Sequence, residues 1–509
     1  MPLMRDKIHY ASFCLLLLLQ TSVAAAQDLQ WAVGLSSNRT VIRAQGVSAG
    51  FQSAPTVLYL AGLNGAADSA AQLRSILLAY SQLDAQHRPI NLITLPLANP
   101  EAEDLSFPPS GSAYSENPVA NSLWRWLGVH APDLVIIAGD DTAGLGTALQ
   151  RESVAGIGSI PVQKLSTENT SIEYLSGLSN LNASAAKREV RRRLNRTPEE
   201  LAQQLAQSYG YDFSTPAYVP GMSLIGRMRL GYIAEVEQLL QGYLSGEEIE
   251  VSNASVMAGQ LVFAEHAERT GNPRSLLLAT QAAELAFDEQ GKLRQAMPMH
   301  NEMSDSVFMA TVLLAKVGKL SGEETYFTMA ARHVAFMRDL LLREDGLYRH
   351  TPLADVAWGR GNAFPALGLA LSLSDFPETH PAYASLKDAF LQHIEALRPF
   401  QDIDGMWHEV IDYPGSFAEL SATAMIGIAI KRGIDRGWLN GETYQVILDK
   451  AWNAVLIRSS LSGEFIDVCT STGKLQSLDA YLDRLAIFAR DDRAAGMIMN
   501  LANEMAGNN

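Results

Sequence analysis

Asp305 opens an apolar run, Val307 to Leu314, whose spacing predicts a helix. An aspartate in that position reads two ways. It is a preferred N-cap, or it is a carboxyl at a helix mouth whose partial desolvation raises its pKa and suits it to general acid chemistry. Other reactive side chains gather in turns further along: His350 in Gly346-Leu-Tyr-Arg-His350, Trp358 and Arg360 in Trp358-Gly-Arg-Gly-Asn362, Trp407 and His408 in Gly405-Met-Trp-His408, and Glu419, Ser421 and Thr423 in Glu419-Leu-Ser-Ala-Thr423. Tryptophan stacks on sugar faces, and arginine pairs a carboxylate in a planar fork. Taken singly, each has a plainer reading as a turn residue, a core aromatic or a helix-start carboxylate. Taken with Asp305 they describe a pocket for an acidic sugar.

These turns join helices. From residue 197 to the end, apolar positions recur at helical spacing in about twelve segments, separated by glycine-bearing turns. Helices in pairs suit a closed double ring with loops at one end forming a cleft; an open helical solenoid is the alternative. The preceding part, 27–190, alternates β-type runs (Thr56–Ala61, Ile90–Leu95, Asp133–Ala138) with helical stretches, and so predicts an α/β domain. Between them lies a polar, basic helical patch, Lys187–Arg196, read as a solvated connection.

The chain has 509 residues, enough for two or more cores. Its formal charge of -16 argues against nucleic acid and anionic membranes as partners. Residues 1–26 read as a signal peptide: Arg5 and Lys7, the apolar core Phe13–Leu19, then Ala24-Ala25-Ala26 before the cleavage point. Export to the periplasm or the medium is expected, without membrane insertion after the signal is removed. Cys14 falls in the signal, leaving Cys469 as the one cysteine of the mature chain, so no intramolecular disulfide is expected. No cofactor or metal is expected either.

The run from Asp305 to Arg484 resembles the unsaturated glucuronyl and rhamnogalacturonyl hydrolases, glycoside hydrolase families 88 and 105, and is more similar to 105. The matching pieces are Ser304–Met309, Asp345–His350, Trp358–Asn362, Gln401-Asp402 with Gly405–His408, Glu419–Met425, and Val468-Cys469 with Thr472-Gly473. The resemblance implies an (α/α)6 barrel. It also implies an oligosaccharide substrate that carries a 4,5-unsaturated uronic acid at its non-reducing end. Asp305 matches the general acid/base; His350, Trp358 and Arg360 match pocket positions, with Arg360 on the uronate; Trp407 and His408 are further pocket candidates. The family's second aspartate is replaced, since Ser252-Asn253-Ala254 stands in its place. Asn253 can hydrogen-bond a sugar or a water but cannot act as a base, and nearby His300 is a candidate pocket histidine. A non-catalytic or altered-specificity sugar-binding protein on the same barrel is the alternative. The N-terminal part resembles a degenerate zinc carboxypeptidase-like domain in which Asn64, Ala67 and Gly139 occupy the places of metal ligands. Such a domain would hold no zinc and is expected to be catalytically inactive.

Overall fold

The computed structural model describes residues 29–51, 53–110 and 113–508, so the segment read as a signal peptide lies outside the described residues. Strands β1 (Leu29–Leu35), β2 (Val41–Val47), β3 (Thr56–Leu60), β4 (Asn91–Leu95), β5 (Leu134–Ile137) and β6 (Val162–Lys164) form one sheet in the order β1-β2-β4-β3-β5-β6. Pairing from β4 through β3 and β5 to β6 is parallel, and β2 joins antiparallel. Helices α1 (Asp68–Ser81) and α2 (Pro118–His130) cover opposite faces. Alternation along β3 serves both: Leu58 and Leu60 pack into the α2 core, Val57 and Tyr59 into the α1 core. Short helices α3 (Leu145–Leu149) and α4 (Ile172–Ser176) sit in the following connections.

The crevice at the carboxyl ends of β3 and β4 is filled by its own loops. Asn99 Nδ2 donates to the carbonyls of Leu63 and Glu103. Gly65 lies so close to Ala102 that a Cβ there would sit 2.4 Å from the alanine methyl. Asn64 Oδ1 accepts from the Ala66 N–H, closing a local turn.

The basic connection is α5 (Ala185–Leu194): Arg188, Arg191 and Arg192 are exposed, as in the solvated face read from sequence, and the departures from it are Arg193 and Arg196. Arg193 is buried and donates to the carbonyls of Ile457 and Ala155; Arg196 is buried and donates to those of Leu456 and Ser459. Burial pulls Arg196 down to about 10. These two guanidinium groups satisfy carbonyls at the end of a barrel helix, so they join the two halves while the other arginines of the stretch face solvent.

Twelve-fold helical periodicity resolves into two rings. The outer ring is α6 (Pro198–Ala206), α8 (Ile233–Leu244), α11 (Pro273–Ala283), α13 (Glu324–Leu341), α15 (Tyr383–Leu397) and α17 (Gly441–Arg458). The inner ring is α7 (Tyr218–Arg229), α9 (Ala254–Gly259) continued by α10 (Leu261–Thr270), α12 (Ser306–Ser321), α14 (Gly359–Asp375), α16 (Leu420–Asp435) and α19 (Asp492–Ala506). Each inner helix packs on the next, and α19 returns to α7, which closes the ring. That is the (α/α)6 barrel. The outer helices bury one stripe, whereas α12 and α14 are buried nearly all round, as a double wall requires. A further short helix, α18 (Leu478–Leu482), lies outside the two rings, and the chain after it extends into β8 (Ala486–Ile487) to pair with β7 (Val468–Cys469). Among the described residues no helix is long and apolar enough to cross a membrane.

The α/β domain sits on the barrel's loop layer. The β1–β2 hairpin packs Leu35 and Val41 against Gly415, where a Cβ would lie 2.3 Å from Leu35. Tyr114 stacks on Phe417 at 4.9 Å, and its hydroxyl donates to the buried Asp467 carboxylate at 2.9 Å. One apolar cluster there joins Leu35 and Tyr114 of the sheet domain to Trp358, Cys469 and Tyr481 of the barrel.

Candidate active site

The amino ends of the inner helices converge on one cavity of about 350 Å3. Tyr218 comes from the start of α7, Asn253 from the N-cap of α9, Asp305 from the N-cap of α12, Arg360 from the first turn of α14 and Arg493 from the first turn of α19. His300, Trp358, Ser471 and Thr472 complete the wall. Five helix N-termini around one cavity favour a negatively charged occupant.

Asp305 occupies the cap position but makes no capping bond. Its carboxyl is thus free of the role that the plainer reading assigned to it. The side chain is 16 % exposed. Oδ1 is buried without a hydrogen-bond partner, 3.5 Å from His350 Nε2. Oδ2 remains the accessible oxygen at the cavity. The approach to Asp305 is held in an uncommon backbone: Met299, Asn301 and Glu302 all have positive φ.

The Trp-Gly-Arg-Gly-Asn turn is built by close approach. At Gly359 a Cβ would lie 2.4 Å from the His408 carbonyl oxygen, and at Gly361 it would lie 2.9 Å from Ser304 Oγ. Asn362 pins the turn: its Nδ2 donates to the carbonyls of Tyr348 and Trp358, and its Oδ1 accepts from the Tyr348 N–H. Arg360 then lies over the Trp358 ring at 4.9 Å. Its Nη1 and Nη2 donate to the carbonyls of Cys469 and Thr470, both at 2.8 Å, while Nε is buried without a partner. The guanidinium therefore holds the 469–470 backbone, which differs from the free fork expected from sequence; only the Nε side is uncommitted.

The remaining candidates divide. Asn253 lines the cavity, but its Oδ1 accepts from Val256 N–H as the α9 cap. His300 lines it too, with Nδ1 accepting from the Glu302 N–H and the ring edge-on to Phe336; partial burial pulls its pKa down. His350 is fully buried behind Asp305, so it supports the wall rather than forming it. Trp407 and His408 are misplaced by the sequence reading. Trp407 is a fully buried core residue donating to the Leu397 carbonyl. His408 is engaged by the Ser416 carbonyl and the Asp402 carboxylate, away from the cavity. Glu419, Ser421 and Thr423 act as supports: the Glu419 carboxylate caps α16 and accepts from the Cys469 N–H, and Thr423 Oγ1 accepts from the Trp407 N–H. Sequence reasoning missed Tyr218 and Arg493. Arg493 is 20 % exposed, pairs with Asp491 and donates to Ser471 Oγ at 2.9 Å. Its one local signal was an Asp-Asp-Arg run at a helix start.

The family sequence model described as Glycosyl Hydrolase Family 88 matches residues 227–507. The chain belongs to glycosyl hydrolase family 88. Within this enzyme family it is 26% identical over 246 residues to the unsaturated rhamnogalacturonyl hydrolase YesR of Bacillus subtilis (strain 168), covering 47% of this chain and 65% of that protein. It is 25% identical over 164 residues to an unsaturated 3S-rhamnoglycuronyl hydrolase of Alteromonas sp. (strain LOR), covering 30% of this chain and 40% of the relative. The matched stretch thus spans less than two thirds of either relative. In fold, this family 88 chain is similar to a possible GH105 member from Klebsiella pneumoniae, with a TM-score of 0.53 and 22% identity over 61% of this chain and 93% of that one. It is also similar to a family 88 hydrolase from Bacteroides vulgatus, with a TM-score of 0.52 and 14% identity over 62% of this chain and 100% of that one.

Proposed function

We propose that this glycosyl hydrolase acts on oligosaccharides that end in a 4,5-unsaturated uronic acid, the product of polysaccharide lyases, by hydrating the enol ether. The reading rests on one observation above the others: Asp305 caps no helix, and presents Oδ2 to a cavity that also holds Arg360 and Arg493. Two relatives that carry the words unsaturated rhamnogalacturonyl and 3S-rhamnoglycuronyl hydrolase in their names support the substrate class.

In this reading the protonated Asp305 carboxyl delivers its proton to C4. The oxocarbenium character that develops at C5 is quenched by water, whose proton returns to the Asp305 carboxylate. The hemiketal at C5 then opens and expels the next sugar. The helix N-termini and Arg493 hold the uronate carboxylate, the Arg360 guanidinium adds positive charge in the wall beside it, and the Trp358 face lies against the ring. Asn253 has one amide edge left for a sugar hydroxyl, and His300 stands at the rim. No metal or cofactor takes part in the proposed chemistry. The signal-like composition of segment 1–26 supports export of the mature protein to the periplasm or the medium.

Incubation with a lyase-generated unsaturated disaccharide tests this. The ultraviolet absorbance of the enol ether should decay as two products form, identified by mass spectrometry; a stable absorbance with a folded enzyme and a panel of pectic, ulvan-type and glycosaminoglycan disaccharides would reject it.

A further inference from the structure

The α/β domain has a filled crevice and no assigned task, yet its first hairpin reaches the back of the active-site wall. The turn between β1 and β2 is held by a carboxylate from the loop after β4. Ser36 Oγ donates to Glu101 Oε1 at 2.6 Å, Thr40 Oγ1 to the same oxygen at 2.7 Å, and the Asn38 N–H to Glu101 Oε2 at 3.1 Å. At its tip Arg39 takes a positive φ of 65°, a conformation that surrounding contacts must hold. That backbone aims its guanidinium at α18: Nε lies 3.2 Å from Asp479 and Nη2 lies 2.8 Å from Asp483.

The two aspartates flank Tyr481, which is fully buried on the other side of the same short helix. Tyr481 Oη is 2.8 Å from His350 Nδ1, and His350 Nε2 is the atom 3.5 Å from Asp305 Oδ1. His350 Nε2 and Asp305 Oδ1 face each other at 3.5 Å and neither has another hydrogen-bond partner, so a proton on Nε2 is the tautomer that suits this pair, and it leaves Nδ1 to accept from the Tyr481 hydroxyl. Burial pushes the Tyr481 hydroxyl up to about 12, so it remains a donor at neutral pH.

We propose that the α/β domain is part of the catalytic unit, with Arg39 and Tyr481 as positioning residues: the hairpin fixes α18, Tyr481 sets the His350 tautomer, and His350 turns the Asp305 carboxyl so that Oδ2 faces the substrate. This rests on Asp305 as the proton donor in the proposed reaction. A five-residue helix between loops has little to hold its orientation by itself. The Arg39 pairs are partly exposed and contribute little to global stability, so their loss separates positioning from folding.

The test uses the full chain and the variants Tyr481→Phe, Arg39→Ala and Arg39→Lys. With an unsaturated disaccharide, Tyr481→Phe is expected to lower kcat roughly 10- to 100-fold with KM little changed, as a misaligned reacting group does. Arg39→Ala should lower kcat several-fold, and Arg39→Lys should restore most of it. Nitrogen NMR of the histidines gives a readout independent of turnover: His350 should carry its proton on Nε2 in the wild type and lose that preference in Tyr481→Phe, with a smaller change in Arg39→Ala. An enzyme that turns over at the wild-type rate in both variants, or His350 signals that both variants leave unmoved, would overturn the proposal. If the wild type cleaves no unsaturated substrate, the reaction assigned above fails while the nitrogen spectra still decide the relay.

Discussion

Trp358 Nε1 donates to Glu409 Oε1 across 2.8 Å, so the tryptophan that walls the cavity is anchored to a fully buried carboxyl. The same oxygen accepts from the Cys469 thiol at 3.1 Å, and Oε2 is buried without a partner. Burial first, and Glu419 beside it second, push the Glu409 carboxyl up to about 8. The folded protein therefore keeps this proton at neutral pH, while the unfolded chain releases it near the ordinary carboxyl value. Stability from this group is complete below that value and is lost as pH rises through about 8. Denaturant melts across this range should show stability falling by up to about 1.4 kcal/mol per pH unit. Glu409→Gln should flatten that slope; an unchanged slope would remove Glu409 as its source.

The two arginines of the cavity should separate by phenotype. Arg360→Ala strips donors from the carbonyls of Cys469 and Thr470, both bonded at 2.8 Å, inside a buried layer. A loss of roughly 2–4 kcal/mol in denaturant stability is expected, with a raised KM for uronates. Lysine should not rescue it, because an ammonium cannot span both carbonyls in one plane.

Arg493→Ala should instead raise KM about 10-fold or more with a small shift in the unfolding midpoint. Asp491, its partner, keeps the capping bond from the Ala494 N–H. Equal effects on KM and stability in both variants would contradict this division.

Trp407→Ala should cost about 3–5 kcal/mol, as truncation of a core tryptophan does, because the ring is fully buried. At a temperature where the variant stays folded, its KM should match the wild type. A selective KM defect would return Trp407 to the pocket.

Much of this was legible in the chain. Helical periodicity and paired lengths gave the double ring, and Asp305 stood out because a carboxylate precedes an apolar helical run. Local signals of that kind carry no information on which helix ends meet. Tyr218 and Arg493 reach the cavity because α19 closes the ring against α7, a contact between opposite ends of the barrel sequence. Trp407 and His408 misled for the converse reason: a motif rich in aromatic and polar residues near other such motifs reads as pocket, yet Trp407 points into the core and His408 into the support of a turn. The β1–β2 hairpin was overlooked because its runs are interrupted by polar residues, and its importance lies in what Arg39 touches far along the chain, at Asp479 and Asp483.

In the proposed reaction Asp305 is the group that protonates the substrate. Wild type and Asp305→Asn, purified side by side and shown to share one unfolding midpoint, should be given the same unsaturated disaccharide while the enol-ether absorbance is followed. Decay is expected with the wild type, and a rate lower by about 10^3-fold or more for the amide, which keeps the shape but has no proton to give. An Asp305→Asn enzyme that turns over at the wild-type rate would contradict that role.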